Sequence, residues 1–392
     1  MPGHLSSQRV YIGLYIGLAI VALAPGCDEV VVHETGEATT GPESDTTAGD
    51  TNEPVMPRAT PISAFPFADP DTIATGTRYV TYGTTSALGV GDCGKPVWGA
   101  KYYLPYMVHG SGESVSLGVC TEIDSGDAMP AGPGAWAEKS RGIWAPSVVY
   151  HSGRFILFYS ASKKGTTSAQ NPEGQKCIGK AFASSARGPF VDAGEFACPP
   201  NGRWALDPDA FVDGGQLYVV YRDDNVNSFP QTGISVVAAD KNGAANWSTR
   251  RTLLFSTDLS WESASSTHNT IENPSMMKVG NGHWYLFFSG NDWNTRRYAT
   301  GIADCGTSPL PGSRCSQTQG TGHSYFGYQP SATSPEKGLP YNKMGPGGMS
   351  LFRTFGGKAR VIWHFIDNES ASPPRHAIVG ELSFSGGEWT VK

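Results

Sequence analysis

Charge is scarce in this chain: Asp, Glu, Lys and Arg make up 16% of its 392 residues, against roughly 25% in ordinary globular domains. It has no Lys/Arg cluster and a formal net charge of −6, which excludes a nucleic-acid binder working through phosphate contacts. The low share of Ala, Glu and Lys excludes a coiled coil or long-helix protein. No 3.6-residue periodicity of helical length appears after residue 61, so helices are not expected there. No CxxC or HxxxH spacing occurs, so no zinc site is expected. What the chain does have is 49 glycines and 11% aromatic residues. The aromatics exclude a wholly disordered chain. With few charges and many glycines, they suit an all-β protein of short strands and tight turns.

The acidity belongs to one segment. Residues 28–60 hold eight acids and one base, Arg58, whereas residues 61–392 balance to no net charge. Rich in Thr, Gly, Glu, Asp and Pro, 28–60 reads as a flexible tether that cannot bury enough surface to order itself. Before it, Val10 to Ala24 is apolar for 15 residues. That is short for a membrane span of ~20 residues and fits a signal-peptide core. It ends at Ala24-Pro25-Gly26-Cys27, which resembles a bacterial lipobox, so residues 1–27 read as an export signal with Cys27 as a lipid-anchor site. The expected location is therefore secreted, or lipid-anchored at a bacterial cell envelope. An exported chain with six further cysteines suggests disulfides. Sequence neighbours suggest Cys93–Cys120, Cys177–Cys198 and Cys305–Cys315.

From residue 61 a strand pattern dense in aromatic and β-branched residues recurs five times: Arg78–Tyr82, Arg154–Tyr159, Leu217–Tyr221, His283–Phe288 and Arg360–Phe365. Successive copies lie 76, 63, 66 and 77 residues apart. Each period suits one four-stranded sheet with its turns, and five such sheets arranged radially make a five-bladed β-propeller over 61–392. A two-sheet sandwich would not demand five similar units.

Four copies carry a proline nine or ten residues upstream of the first aromatic: Pro70, Pro146, Pro208 and Pro274. Acids stand just before three of them, as Asp69, Asp207 and Glu272. If each lies at the start of an innermost strand, the three converge on one end of the axis at matching repeat positions. Converging carboxylates are costly unless paired or used. Glycoside hydrolysis uses such a set, with one carboxylic acid to protonate the leaving oxygen and one carboxylate to activate water or attack carbon. A third raises the pKa of the acid by repulsion.

At these motifs the chain resembles glycoside hydrolase family 43, five-bladed propellers that include arabinanases, arabinofuranosidases and β-xylosidases. Ala68-Asp69-Pro70-Asp71 is similar to the first-blade motif and Ile143-Trp144-Ala145-Pro146 to the second. Leu206-Asp207-Pro208-Asp209 is similar to the third, and Ile271-Glu272-Asn273-Pro274 to the fourth. The resemblance implies inverting hydrolysis of arabinose- or xylose-containing polysaccharides. Asp69 would be the general base, Glu272 the general acid and Asp207 the group that tunes and orients the acid. The carboxyls of acid and base would stand ~6.5–9.5 Å apart. Two departures stand out: Asn273 where the family has Gly or Ala, and Gly348 where many members have an axial histidine that helps hold a central ion or water. No cofactor is implied as required, and the missing histidine argues against a bound calcium or sodium ion unless His268, His323 or His376 replaces it in space.

Sugar faces call for aromatic platforms with polar rims. Trp144 leads, with Trp98, Trp293, Trp204 and Trp261 behind it, and Arg296 and Asp292 offer hydroxyl contacts. The expected partner is a carbohydrate substrate. No nucleic acid is expected, and membrane contact only through the N-terminal anchor. The chain is expected to be a monomer. The α-L-arabinofuranosidase or arabinanase reading leads, because no length remains for the extra domain of many β-xylosidases. The alternatives are β-xylosidase, a fructan-acting propeller, or a non-catalytic carbohydrate-binding propeller.

Overall fold

The computed structural model describes residues 62–90, 96–117, 124–169, 171–226, 232–258, 260–261, 263–265, 268–319 and 322–392. The signal and tether segments and the Cys93–Cys120 pair lie outside these residues. The other two expected disulfides, Cys177–Cys198 and Cys305–Cys315, are present.

Five antiparallel sheets follow one another along the chain, as expected of a five-bladed propeller. Their innermost strands are Asp71–Thr75, Trp144–His151, Ala205–Asp213, Ile271–Lys278 and Met344–Arg353, in blades I to V. The aromatic repeat forms the second strand of every blade: Arg78–Tyr82, Arg154–Ser162, Gln216–Asp223, Trp284–Gly290 and Ala359–Ile366.

The reason lies in packing. A second strand is covered on both faces by the neighbouring blades, so both of its side-chain rows must be apolar. In blade IV, Trp284, Leu286 and Phe288 join the cluster shared with blade III. Tyr285 and Phe287 join the cluster shared with blade V. The other three seams have matching clusters, so the core is five interblade layers and not one centre.

The ring closes through a strand that the repeat does not announce. Ile62–Pro66 pairs with Arg375–Ser385 and so supplies an outer strand of blade V from the start of the folded region. The Ala377 amide donates to Ser63 Oγ at 3.0 Å. Blade V gains a fifth strand, Glu388–Val391, on the same partner.

At the axis each blade contributes a triplet: Asp69-Pro70-Asp71, Ala145-Pro146-Ser147, Asp207-Pro208-Asp209, Asn273-Pro274-Ser275 and Gly348-Met349-Ser350. Together these line a cavity of about 30 Å³. The first residue of every triplet has positive φ, at 48°, 42°, 53°, 46° and 59°. In blades II to V the strand register slips here, between Trp144 and Ser147, Leu206 and Asp209, Glu272 and Ser275, and Gly347 and Ser350. These are bulges. In blades II to IV they take proline out of the hydrogen-bond ladder and turn the preceding side chain towards the axis.

The third residues stitch the blades together. Asp71 accepts from the Val148 amide at 2.8 Å and from Ser350 Oγ at 2.9 Å. Ser147 accepts from the Ala210 amide, Asp209 from the Met276 amide and Ser275 from the Leu351 amide. Burial raises Asp71 to about 6 and, with repulsion from Asp71, raises Asp209 to about 8. A carboxyl whose folded pKa exceeds its unfolded value stabilises fully below the unfolded pKa and loses that contribution as pH rises through the folded one. Stability against denaturant is therefore expected to fall as pH rises from about 4 to 8. Asp209→Asn should flatten the upper part of that fall, measured as the urea midpoint against pH.

Candidate active site

The bulges bring Asp69, Asp207 and Glu272 to the same end of the axis, but not at one repeat position. Asp69 and Asp207 occupy the positive-φ site, whereas in blade IV that site is Asn273. Glu272 stands one residue earlier, equivalent to Trp144 and Leu206. The expectation of matching positions is thus corrected: the longer glutamate side chain reaches the centre from the preceding residue. The Asn273 amide donates to Asp207 Oδ2 at 3.2 Å, which ties the two blades together beside both acids.

Asp69 is buried and fully engaged. Arg375 donates to Oδ1 at 2.8 Å, and Thr84 Oγ1 donates to Oδ2 at 2.6 Å. Burial alone would raise its pKa, but Arg375 and the Thr84 hydroxyl outweigh this and hold the carboxyl below the ordinary value. Glu272 accepts from Arg222 at 2.9 Å on Oε2 and from the Tyr298 hydroxyl at 3.0 Å on Oε1. Arg222 is itself clamped by Asp224, at 3.0 and 3.1 Å.

Burial raises Glu272 above the ordinary glutamate value, with Arg222 and Tyr298 opposing and the charge of Asp69 adding to the rise. Asp207 is raised well above its usual range by burial first, then by repulsion from Glu272 and Asp69. Asp207 and Glu272 therefore retain a proton between them, next to an Asp69 held ionised. Such a pocket offers a base and a proton donor side by side.

A histidine sits at this centre, and it comes from an unexpected strand. His364, in the second strand of blade V, is fully buried. Its Nδ1 accepts from the Asp69 amide at 3.2 Å, and its ring stacks on Tyr298 with centroids 5.7 Å apart. It fills the space beside Gly348, where a Cβ would lie 2.7 Å from the His364 ring. Burial and the nearby Arg375 lower its pKa to about 3, so it is neutral. Two of the three histidines expected as substitutes, His376 and His323, are engaged elsewhere. His376 stacks on Phe365, His323 Nδ1 contacts its neighbour Ser324, and the side chain of His268 is outside the described residues. Among the described residues no group of three His, Cys, Asp or Glu side chains is arranged to hold a metal ion.

The tryptophans divide. One face of Trp144 is covered by Lys176 Nζ, 3.9 Å from the ring centroid, and Trp204 lies 5.6 Å from the same ammonium. Trp293 lies 4.7 Å from the guanidinium of Arg375, the residue that holds Asp69. Trp261 stacks on Phe288. Trp98 lies in the strand Pro96–Tyr102, and its side chain is outside the described residues. Arg296 is taken up by an exposed pair with Glu369 at 2.6 Å, and so is not turned to the three acids.

Sequence reasoning missed Arg222, Tyr298, His364 and Arg375. Only His364 left a legible sign, a polar residue inside an otherwise apolar repeat strand.

Residues 113–390 match the model of the glycosyl hydrolases family 43, a span that includes Asp207 and Glu272 but not Asp69. The chain is 24% identical over 313 residues to a probable arabinan endo-1,5-α-L-arabinosidase A of Aspergillus fumigatus, covering 73% of this chain and 86% of that protein. An α-L-arabinofuranosidase from Lactobacillus brevis has a similar structure, with a TM-score of 0.61 at 17% identity over 82% of this chain and 91% of that one. An endo-arabinase from Bacteroides thetaiotaomicron matches with a TM-score of 0.58 at 16% identity, over 84% and 99% of the two chains. At these identities the structural likeness is one of fold.

Proposed function

The chain belongs to glycosyl hydrolases family 43, and from that premise we propose that it is an inverting hydrolase of arabinose- or xylose-containing polysaccharides, with arabinan as the leading substrate. The observation that carries this reading is the electrostatic division at the axis. Asp69 is held ionised by Arg375 and Thr84, while Asp207 and Glu272 keep a proton between them.

In this reading Glu272 gives its proton to the glycosidic oxygen as the bond to the anomeric carbon breaks. Asp69 takes a proton from the water that attacks the opposite face. Arg222 and Tyr298 then stabilise the Glu272 carboxylate that proton transfer leaves behind. Asp207 makes no bond to substrate; it shares a proton with Glu272, and ionisation of either carboxyl raises the pKa of the other. The arabinan preference is supported by the substrate named for the A. fumigatus relative. Export is supported by the two disulfides, which persist in oxidising compartments. Residues 1–27 would direct it and residues 28–60 would tether the propeller.

The role of Asp207 can be read from pH. A general acid works only while protonated, so activity falls as pH rises through its pKa. Asp207→Asn removes the repulsion, lowers the pKa of Glu272 and is expected to move the alkaline limb of the kcat/KM profile to lower pH. An unmoved or raised limb would remove Asp207 from that role. The function itself is tested by product analysis on linear arabinan, arabinoxylan and xylo-oligosaccharides. Arabinose or arabino-oligosaccharides from linear arabinan are expected. Release from xylo-oligosaccharides alone would make it a xylosidase, and no release from any of them would overturn the reading.

A further inference from the structure

We propose that the seam between blades II and III carries a second, non-catalytic binding site for a neutral polysaccharide chain, centred on Trp247. A groove of about 380 Å³ opens there, and none of its lining residues borders the axial cavity. Trp247 is 49% exposed, the most exposed tryptophan among the described side chains. The ring is supported from one side by Phe196, with centroids 6.0 Å apart, and Pro199 and Pro200 continue the apolar floor. An aromatic face joined to a proline floor and a polar rim is what a sugar ring covers with its C–H face.

The polar rim points to an uncharged ligand. The charged groups of the groove are already neutralised within the protein. Arg250 pairs with Asp223 at 2.7 Å, and Lys163 with Glu195 at 3.1 Å. An ionic ligand would therefore meet no free counter-charge. What remains for a ligand is hydrogen bonding without net charge. Asn225 is exposed, and its carboxamide makes no hydrogen bond to a described residue. Arg250 is anchored by a buried Asp223, is itself partly exposed and lines the groove. Planar amide and guanidinium groups beside an aromatic face match the paired hydroxyls and apolar face of a sugar. The ligand class, a neutral pentose polymer, rests on the substrate reading above. The existence of the site rests on the groove itself.

The test is migration of the full chain through native gels cast with linear arabinan or arabinoxylan. It uses the Glu272→Gln chain, so that the polymer survives, with and without Trp247→Ala. Retardation by polymer is expected, and Trp247→Ala should weaken it about fivefold or more while Trp247→Phe retains most of it. With Glu272 intact, Trp247→Ala should raise KM on polymer and leave kcat/KM on 4-nitrophenyl α-L-arabinofuranoside within about twofold. Equal retardation with and without Trp247→Ala would overturn the site, as would no retardation of either chain. So would a parallel loss on the short substrate, which would make Trp247 part of the catalytic pocket. Full turnover by Glu272→Gln would instead defeat the acid assignment and leave the Trp247 comparison standing.

Discussion

Glu272→Gln is expected to lower kcat on arabinan by about 10²–10⁴-fold, the usual contribution of a general acid. The substitution keeps the shape of the side chain and removes the transferable proton. The amide oxygen can still accept from either Arg222 or Tyr298, which now bind the two carboxyl oxygens at 2.9 and 3.0 Å. One donor loses its acceptor, at a cost of about 1–3 kcal/mol of stability. The thermal midpoint should therefore drop by only a few degrees while turnover collapses. The loss should depend on the leaving group. A 4-nitrophenyl glycoside departs with little need of a proton, so its hydrolysis by Glu272→Gln should be far less impaired than that of arabinan. Equal impairment on both substrates would place the acid elsewhere.

Asp69→Asn should be as damaging by another route, again by about 10²–10⁴-fold in kcat. Its carboxylate accepts from Arg375 and Thr84, two donors that favour the ionised form. An amide cannot take the proton of water, and no other ionised carboxylate stands ready, because Asp207 and Glu272 are both raised. A good leaving group should not rescue this variant, since attack by water is needed whatever departs. There is a second consequence. The charge of Asp69 helps raise both Asp207 and Glu272. The residual activity of Asp69→Asn should therefore lose its alkaline limb at lower pH than wild type. The pair of substitutions thus separates on leaving group, and a common response would undo the division of roles.

The blades were legible because a strand sandwiched between two blades must be apolar on both faces. Leu217 to Tyr221 and Trp284 to Phe288 write that constraint directly into the sequence. The closure was not. Ile62–Pro66 pairs with residues more than 300 positions later, and five residues carry no sign of so distant a partner. Among the site residues, proline marked the bulges, so Asp69, Asp207 and Glu272 could be picked out. Proline could not reveal the one-residue offset of Glu272, which depends on where each bulge falls. Arg375 reaches Asp69 across 306 positions and Arg222 reaches Glu272 across 50. Neither stands in a motif of its own. His364 was visible as a polar break in Arg360–Phe365. Its meaning appears only when Gly348 is seen to leave room for its ring.

The three axial acids can act as assigned only if water attacks the anomeric carbon directly. The decisive measurement is ¹H NMR of the first-formed sugar during hydrolysis of a short linear arabino-oligosaccharide by the full chain. From an α-linked substrate the β anomer is expected to appear first, with the α anomer growing in as the product mutarotates. An α anomer formed first would show retention, a covalent intermediate and a nucleophile in place of a base at Asp69.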